Sequence, residues 1–333
     1  MDKDFYNQSS ASKLGWQPEW FGVSDFDETL VEAVKKWQRR LGIKSDGLVG
    51  PQTFRRVWSE RESRISAYRP GVSNREKNHL VHNGSFYEIK WDKVILWDEP
   101  DGLACKEGTY TSYAGRPDRN PYFFVNHWDA ALSASSCAKI INKRGISIHF
   151  CIDNDGTIYQ LLDTQHAAWQ AGSRAWNHNS IGIEISNAYY PKYQPWYVKN
   201  GLGERPIKSG VKCHGVKMKD FMGFYECQIE ALVALFEAIN RQLGIPLESP
   251  LDDKGKNLET VHSESAACEF QGFVSHFHLT KRKIDQVHQK VLLNLKLVLK
   301  RKVMMVICGL LLRIKMVLKD GARLNNYFII YII

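Results

Sequence analysis

The chain has 333 residues and a formal charge of +9, from 45 Lys+Arg against 36 Asp+Glu. Nine basic residues and one acidic residue fall within 286–333, so the preceding 285 residues carry a net of only +1. A chain-wide cationic surface is excluded, and with it any inference of nucleic-acid binding from the net charge alone, so no nucleic-acid partner is expected, while 44% hydrophobic and 24% charged residues exclude the disordered and fibrous classes.

The opening MDKDFYNQSS has acidic residues and no apolar run, so no secretory signal is expected and synthesis is expected to end in the cytoplasm. Residues 12–60 read as a small helical module. Thr29 is placed to cap a helix in which Leu30, Val34, Trp37 and Leu41 recur at spacings of 4, 3 and 4, one face of an α-helix, with Gly42 as its stop. Ser45-Asp46-Gly47 turns the chain toward Gly50-Pro51, where proline suits the first helical position, and a second helix follows with Phe54, Val57 and Trp58 inward. Trp16, Trp20 and Phe21 can close the core of a unit near the lower size limit for independent folding. Residues 61–80, RESRISAYRPGVSNREKNHL, are polar around Pro70-Gly71 and read as a linker.

A second domain, 81–285, begins near Val81 and alternates strands with helices. Tyr122–His127 reads as a strand, Ser135–Arg144 as a helix stopped by Gly145, and Ser147–Ile152 as a strand. Asp153-Asn154-Asp155-Gly156 turns the chain into Thr157–Leu162 as a hairpin, and Ile181–Ser186 is another strand. Phe224–Leu243 is an amphipathic helix with Ile229, Leu232, Val233, Phe236, Ile239 and Leu243 on one side. Strands near Leu258–His262 and Gly272–His278 complete an α/β fold, a mixed central sheet flanked by helices.

Seven cysteines, an odd number without a CxxC pair, read as reduced thiols rather than a disulfide framework. Among eleven histidines, His127 ends the apolar strand YFFVNH, and His276 and His278 lie in FVSHFHLTKRKID ahead of Lys283 and Asp285. Two histidines and a carboxylate brought together would give a zinc ion three protein ligands and an open position for water. The plainer alternative is a solvated basic loop with histidines at a strand end. In IGIEIS a period of two puts Ile181, Ile183 and Ile185 on one face and Gly182, Glu184 and Ser186 on the other. Glu184 therefore reads either as a pocket-lining acid/base group or as a buried carboxylate paired with Arg or Lys.

Two resemblances join these pieces. The stretch KWQRRLGIKSDGLVGPQTFRRVW, from Lys36 to Trp58, resembles the peptidoglycan-binding domain found at the ends of bacterial and phage cell-wall hydrolases. The run SIHFCIDNDGTIYQLLDTQHAAWQAGSRAWNHNSIGIEISNAYYPKY, with FFVNH before it and HFHLTKRKID after, resembles the zinc-dependent N-acetylmuramoyl-L-alanine amidases over about Tyr87 to Asp285. The second resemblance implies His127, His276 and Asp285 as zinc ligands, with His278 as the alternative second histidine. It implies Glu184 as general base and Lys283 as the group that steadies the oxyanion. It further implies Trp169, Trp176, Asn177 and Asn179 along the substrate groove, and His149 as a structural or supporting residue. The reaction implied is hydrolysis of the amide between N-acetylmuramic acid and L-alanine of the peptidoglycan stem peptide, by a monomer. A non-catalytic wall-recognition protein on the same fold is the alternative, but all three ligand positions are filled here. Without a secretory signal, such an enzyme is expected to reach the wall after holin-type release or by other non-classical export, as a phage or prophage endolysin would.

After Asp285 the family continues with Cys or Pro and a small residue, whereas this chain has Gln286-Val287-His288. The following residues, to 333, contain no Trp, Pro or Glu, and their composition breaks where the family pattern stops, as in an out-of-frame or replaced terminus. The other reading is a cationic amphipathic helix, striped by Leu292, Leu295, Leu299, Val303, Val306, Leu310 and Ile314, that contacts an anionic membrane. Its longest apolar run, Val303–Leu312, is far short of the about 20 residues needed to cross a bilayer.

Overall fold

In the computed structural model, which describes residues 2–75 and 78–283, the N-terminal module is built of three helices: α1 (Lys3–Leu14), α2 (Glu28–Leu41) and α3 (Pro51–Ile65). Helix α1 escapes the apolar pattern because much of its attachment is polar. Buried Asn7 donates to the Gly47 carbonyl at 3.0 Å and accepts from the Val49 amide at 2.9 Å. The cap of α2 is Asp27 rather than Thr29: its carboxylate accepts from the amides of Thr29 and Leu30 at 2.9 and 3.2 Å. An ionised acceptor at the positive end of the helix is a good cap, and it starts α2 one residue before Thr29. Gly42 then takes the left-handed conformation, φ 67°, that ends the helix.

The larger part of the chain centres on a six-stranded mixed sheet. In chain order its strands are β1 (Val94–Leu96), β2 (Phe123–Trp128), β3 (Phe150–Ile152), β4 (Ile158–Gln160), β5 (Ser180–Ile185) and β6 (Gly272–Ser275). They lie side by side as β6-β2-β5-β3-β4-β1, with all neighbours parallel except the β3-β4 hairpin. Helix α4 (Ala134–Arg144), capped by Ser133, covers one face through Cys137, Ile140 and Ile141 against Cys151 and Tyr159. Helix α5 (Glu226–Leu243) covers the other, its Phe236 ring meeting Phe124 and Phe273 at centroid distances of 5.0 and 3.9 Å. The expected α/β architecture is present. Leu258–His262, however, is irregular, and β6 stops at Ser275 because His276–Leu279 forms a helical turn.

Between β5 and α5 the chain makes a long excursion pinned by one buried cation. The Arg205 guanidinium lies between the Tyr197 and Tyr225 rings, 4.4 and 4.2 Å from their centroids. It donates to the carbonyls of Ser186 and Gly223 at 2.9 and 3.0 Å, and to the side-chain oxygens of Gln228 and Asn154. Neutral oxygens and ring faces meet the two terminal nitrogens, while Nε is buried without a hydrogen-bond partner among the described residues, and the positive charge is held in place without a carboxylate bonded to it.

Helix α3 runs five residues into the segment with linker composition, and the stretch from Tyr68 to Ser73 is strapped down. The amides of Tyr68 and Gly71 donate to Asn200 Oδ1 at 2.7 Å and Tyr159 Oη at 3.1 Å, and Ser73 Oγ donates to Glu99 at 2.8 Å. The module's Leu30, Val34 and Phe54, all fully buried, share one apolar cluster with Ala134, Cys137, Ala138 and Ile141 of α4. A common core predicts one cooperative thermal transition. Phe54→Ala should cost about 3–5 kcal/mol and lower the melting temperature of the whole unit, read by near-UV and far-UV circular dichroism together. Two separated transitions, with only the first displaced, would contradict the shared core.

Candidate active site

The site is set by strand register. In the parallel pair β2-β5, His127 is the partner of Glu184, so both side chains leave the same face of the sheet. On its other side Glu184 is the partner of Cys151 in β3. Val274 of β6 pairs with Val125, two residues before His127, and the chain turns helical just beyond, which brings His276 against His127. The two imidazoles are buried, 4.7 Å apart between centroids and nearly perpendicular, with their Nδ1 atoms 3.0 Å apart.

Gln170, to which no sequence pattern assigns a role, orients this pair. Ser180 Oγ spends its hydrogen on the Trp176 carbonyl at 2.6 Å and therefore accepts from Gln170 Nε2 at 2.7 Å. The amide oxygen of Gln170 then faces His127 Nε2 and accepts its hydrogen. With Nε2 protonated, a neutral His127 presents the Nδ1 lone pair toward His276. Gly182 makes this possible: a Cβ there would stand 2.7 Å from Gln170 Cδ and 2.7 Å from Ile148 Cδ1. Asn177 Oδ1 holds the same loop by accepting from the amides of Gln170 and Ala171 at 3.1 and 2.7 Å. The one sequence signal for Gln170 is the small residue in IGIEIS, whose missing side chain makes room for it.

Two nitrogen ligands of a tetrahedral zinc, each at about 2.05 Å, stand about 3.3 Å apart. The Nδ1 atoms of His127 and His276, 3.0 Å apart, come close to that spacing. Among the described residues no group of three His, Cys, Asp or Glu side chains converges, and Asp285 lies outside them. Lys283 is the last residue described. Its carbonyl accepts from His214 Nε2 at 2.8 Å.

His278 is placed differently from His276. The alternation that would point both the same way requires a strand, and here the backbone is helical. His278 Nδ1 accepts from the Ser275 amide at 3.0 Å and Nε2 donates to the Leu258 carbonyl at 2.9 Å, so both ring nitrogens hold backbone. Burial pushes its pKa down to about 4. His149 is equally committed, accepting from the Gly182 amide at 3.0 Å and donating to the His166 carbonyl at 3.0 Å.

A cleft of about 520 Å3 is lined by Trp169 and Asn177 together with Tyr113, Arg116, Arg174 and His178, whereas Gln170, His127, Glu184 and His276 do not line it. Trp169 is 40% exposed, its indole N–H on Thr111 Oγ1 at 3.0 Å. Trp176 packs instead beside Phe123, Val125 and Val274 and donates to the Ala266 carbonyl at 3.0 Å, while the Asn179 carbonyl accepts from the Tyr122 amide at 3.1 Å. Neither is among the lining residues of the cleft. The arrangement offers two imidazoles and a carboxylate at one face of the sheet, and an aromatic, cationic cleft lined by Trp169 and Gly172, which stand on either side of Gln170 in the chain.

Burial, reinforced by the Arg119 charge, depresses His149 to about 3 from an ordinary value near 6.5. The folded pKa lies below the unfolded one, so between about pH 6.5 and 3 the unfolded chain binds the extra proton and stability rises with pH. Denaturant titrations should show His149 contributing up to about 1.4 kcal/mol per pH unit in that window, and His149→Gln should flatten the acid slope by that amount. An unchanged slope would mean that His149 is protonated in the fold.

The profile of the family described as N-acetylmuramoyl-L-alanine amidase matches residues 117–286, and that of a family of peptidoglycan binding domains matches residues 13–57. No curated protein matches the chain significantly. Among solved structures, the chain is similar to the endolysin amidase LysCS of Clostridium intestinale, with 15% identity over 62% of this chain and 95% of the other and a TM-score of 0.36. It is also similar to AmiD of E. coli in complex with anhydro-N-acetylmuramic acid-L-Ala-D-gamma-Glu-L-Lys, with 24% identity over 42% of this chain and 55% of the other and a TM-score of 0.28. Staphylococcus aureus AmiA aligns at 11% identity over 67% and 82%, with a TM-score of 0.35. The family profile spans half of the chain and contains His127, Glu184, His276 and Lys283, so the protein belongs to the N-acetylmuramoyl-L-alanine amidase family.

Proposed function

We propose that the protein is a zinc-dependent peptidoglycan hydrolase that cuts the amide between N-acetylmuramic acid and L-alanine of the stem peptide. The observation that carries the metal is the approach of His127 Nδ1 and His276 Nδ1 to 3.0 Å, with Glu184 in register beside them. His127, His276 and Asp285 would hold the ion. When bound, zinc lowers the pKa of a coordinated water toward about 7 and polarises the scissile carbonyl.

Glu184 takes a proton from the attacking water as the water oxygen bonds to the lactyl carbonyl carbon. The Lys283 ammonium stabilises the negative charge that collects on the carbonyl oxygen. Glu184 then returns the proton to the alanine nitrogen as the C–N bond breaks, leaving a lactyl carboxylate and a free α-amine. Gln170 keeps His127 in the tautomer that exposes Nδ1, and Trp169 and Asn177 border the cleft that receives the sugar and peptide.

Residues 13–57 would hold the enzyme on polymeric wall, raising the local concentration of cleavable bonds. No helix among the described residues is long and apolar enough to cross a membrane. The reading further includes a monomer that reaches the wall by holin-type release or other non-classical export. The C-terminal readings, a replaced terminus or a membrane-contacting helix, concern residues outside those described.

Zinc analysis of the purified protein, with release of new amine from peptidoglycan, tests the reading. Glu184→Ala should retain zinc and lose activity by at least about 100-fold, whereas Asp285→Ala should lose both. Equal zinc content in the two variants would refute the assignment, and neither zinc uptake nor amine release by the unaltered protein would leave only wall recognition. Gln170→Leu should weaken zinc binding by about 10–100-fold in chelator competition, and unchanged affinity would remove Gln170 from its positioning role.

A further inference from the structure

A second groove, of about 530 Å3, opens at the seam between the N-terminal module and the end of β2. It lies away from the catalytic face. Trp128 forms part of its floor, and alternation along β2 points that ring opposite to His127, onto Phe221, Phe224 and the Asn187 carbonyl. Tyr189 and Tyr190, both half-buried, line the groove with Trp128.

Cations border this aromatic floor from both sides of the seam. The module contributes Lys44, Arg55 and Arg56, and the hairpin that ends at Lys217, with the residues just after it, contributes Lys217 and Lys219. No carboxylate lines the groove. Lys44 is paired with Asp46 at 3.4 Å, but Lys217 and Lys219 are exposed and form no ion pair among the described residues. Arg56 spends its Nε on Tyr190 Oη at 2.8 Å, and Arg55 Nε is buried without a hydrogen-bond partner among the described residues. Five positive groups are brought together from two stretches of one folded unit, and although Asp46 partners Lys44 and the Arg55 charge also acts on buried Asp129, no carboxylate lines the groove itself, which forms a site for an anionic ligand that also has flat apolar faces.

We propose that this groove binds a second segment of peptidoglycan, distinct from the one in the catalytic cleft, through the carboxylates of its stem peptides, with sugar faces against Tyr189 and Tyr190. The identification of the ligand rests on the wall-hydrolase reading, since peptidoglycan is the anionic polymer such an enzyme meets. A protein that touches two segments holds its polymer while one of them is being cut.

The test is a sedimentation assay of the full chain on wall sacculi stripped of phosphate-containing polymers, before and after amidation of their carboxyl groups. The variant Lys44→Glu/Lys217→Glu/Lys219→Glu changes only exposed side chains, and the matching triple glutamine variant should fall between it and the unaltered protein. On stripped sacculi the glutamate variant should bind about tenfold more weakly, on amidated sacculi the two should bind alike, and cleavage of a soluble disaccharide-peptide should be unchanged. Equal binding on stripped sacculi overturns the proposal. A difference confined to walls that retain phosphate polymers overturns the choice of ligand, and a parallel loss of soluble-substrate cleavage overturns a separate site. If the unaltered protein cleaves nothing, the amidase reading fails, while a carboxylate-dependent binding difference still supports the groove.

Discussion

The parallel register of Phe123–Trp128 against Ser180–Ile185 is the constraint from which the site follows. It sets His127 beside Glu184 and Val125 beside Gly182, and the contacts of Gln170 with His127 and of His276 with His127 build on these positions. Sliding the pair by one residue would send Glu184 to the opposite face, among the isoleucines, and bring a side chain with a Cβ under Gln170. The register is held from both sides. Val125 is buried against Val274 and Ala171 on the catalytic face, and Phe124 is buried against Phe236 on the other. The packing that stabilises the sheet is therefore the same packing that aligns the polar groups, with about 1–2 kcal/mol of conformational entropy per ordered residue opposing it throughout.

Much of this is legible in the sequence, and for a definite reason. Period-two patterning identifies the two faces of IGIEIS, and helical spacing identifies α2 and α5, because burial of one face leaves its trace in hydropathy. What escapes is held by polar contacts or decided at a distance. Helix α1 hangs on Asn7, which no hydropathy pattern marks. The chain at His276 turns helical where a strand pattern continues, so the separate roles of His276 and His278 depend on backbone that alternation alone misreads. Gln170 is read as part of a motif, but its partner His127 is 43 positions away and only the folded register brings them together. Asn177 has a structural role besides bordering the cleft, since its side-chain oxygen already holds the loop that carries Gln170.

The relation between module and catalytic body follows the same division. Composition marks 61–80 as polar and interrupted by Pro-Gly, which describes a free tether and a strapped connector equally well. The difference lies in partners supplied by distant residues: Asn200, Tyr159 and Glu99. Apolar residues of α4 then meet those of α2 and α3, so the face of α4 turned from the sheet is the module's docking face.

The buried Arg205 has a consequence for how the excursion after β5 can vary. Its terminal nitrogens donate to the carbonyls of Ser186 and Gly223, which sit at the two ends of that excursion. A single side chain thus closes the loop at its base like a drawstring. The exposed residues of the hairpin Lys212–Lys217 can change without disturbing β5, whereas Tyr189 and Phe221, which pack on Trp128 of β2, have to stay with the arginine and its two rings. The part of the molecule that carries Lys217 is therefore free to diversify, and wall preference can change there while the hydrolytic strands stay as they are.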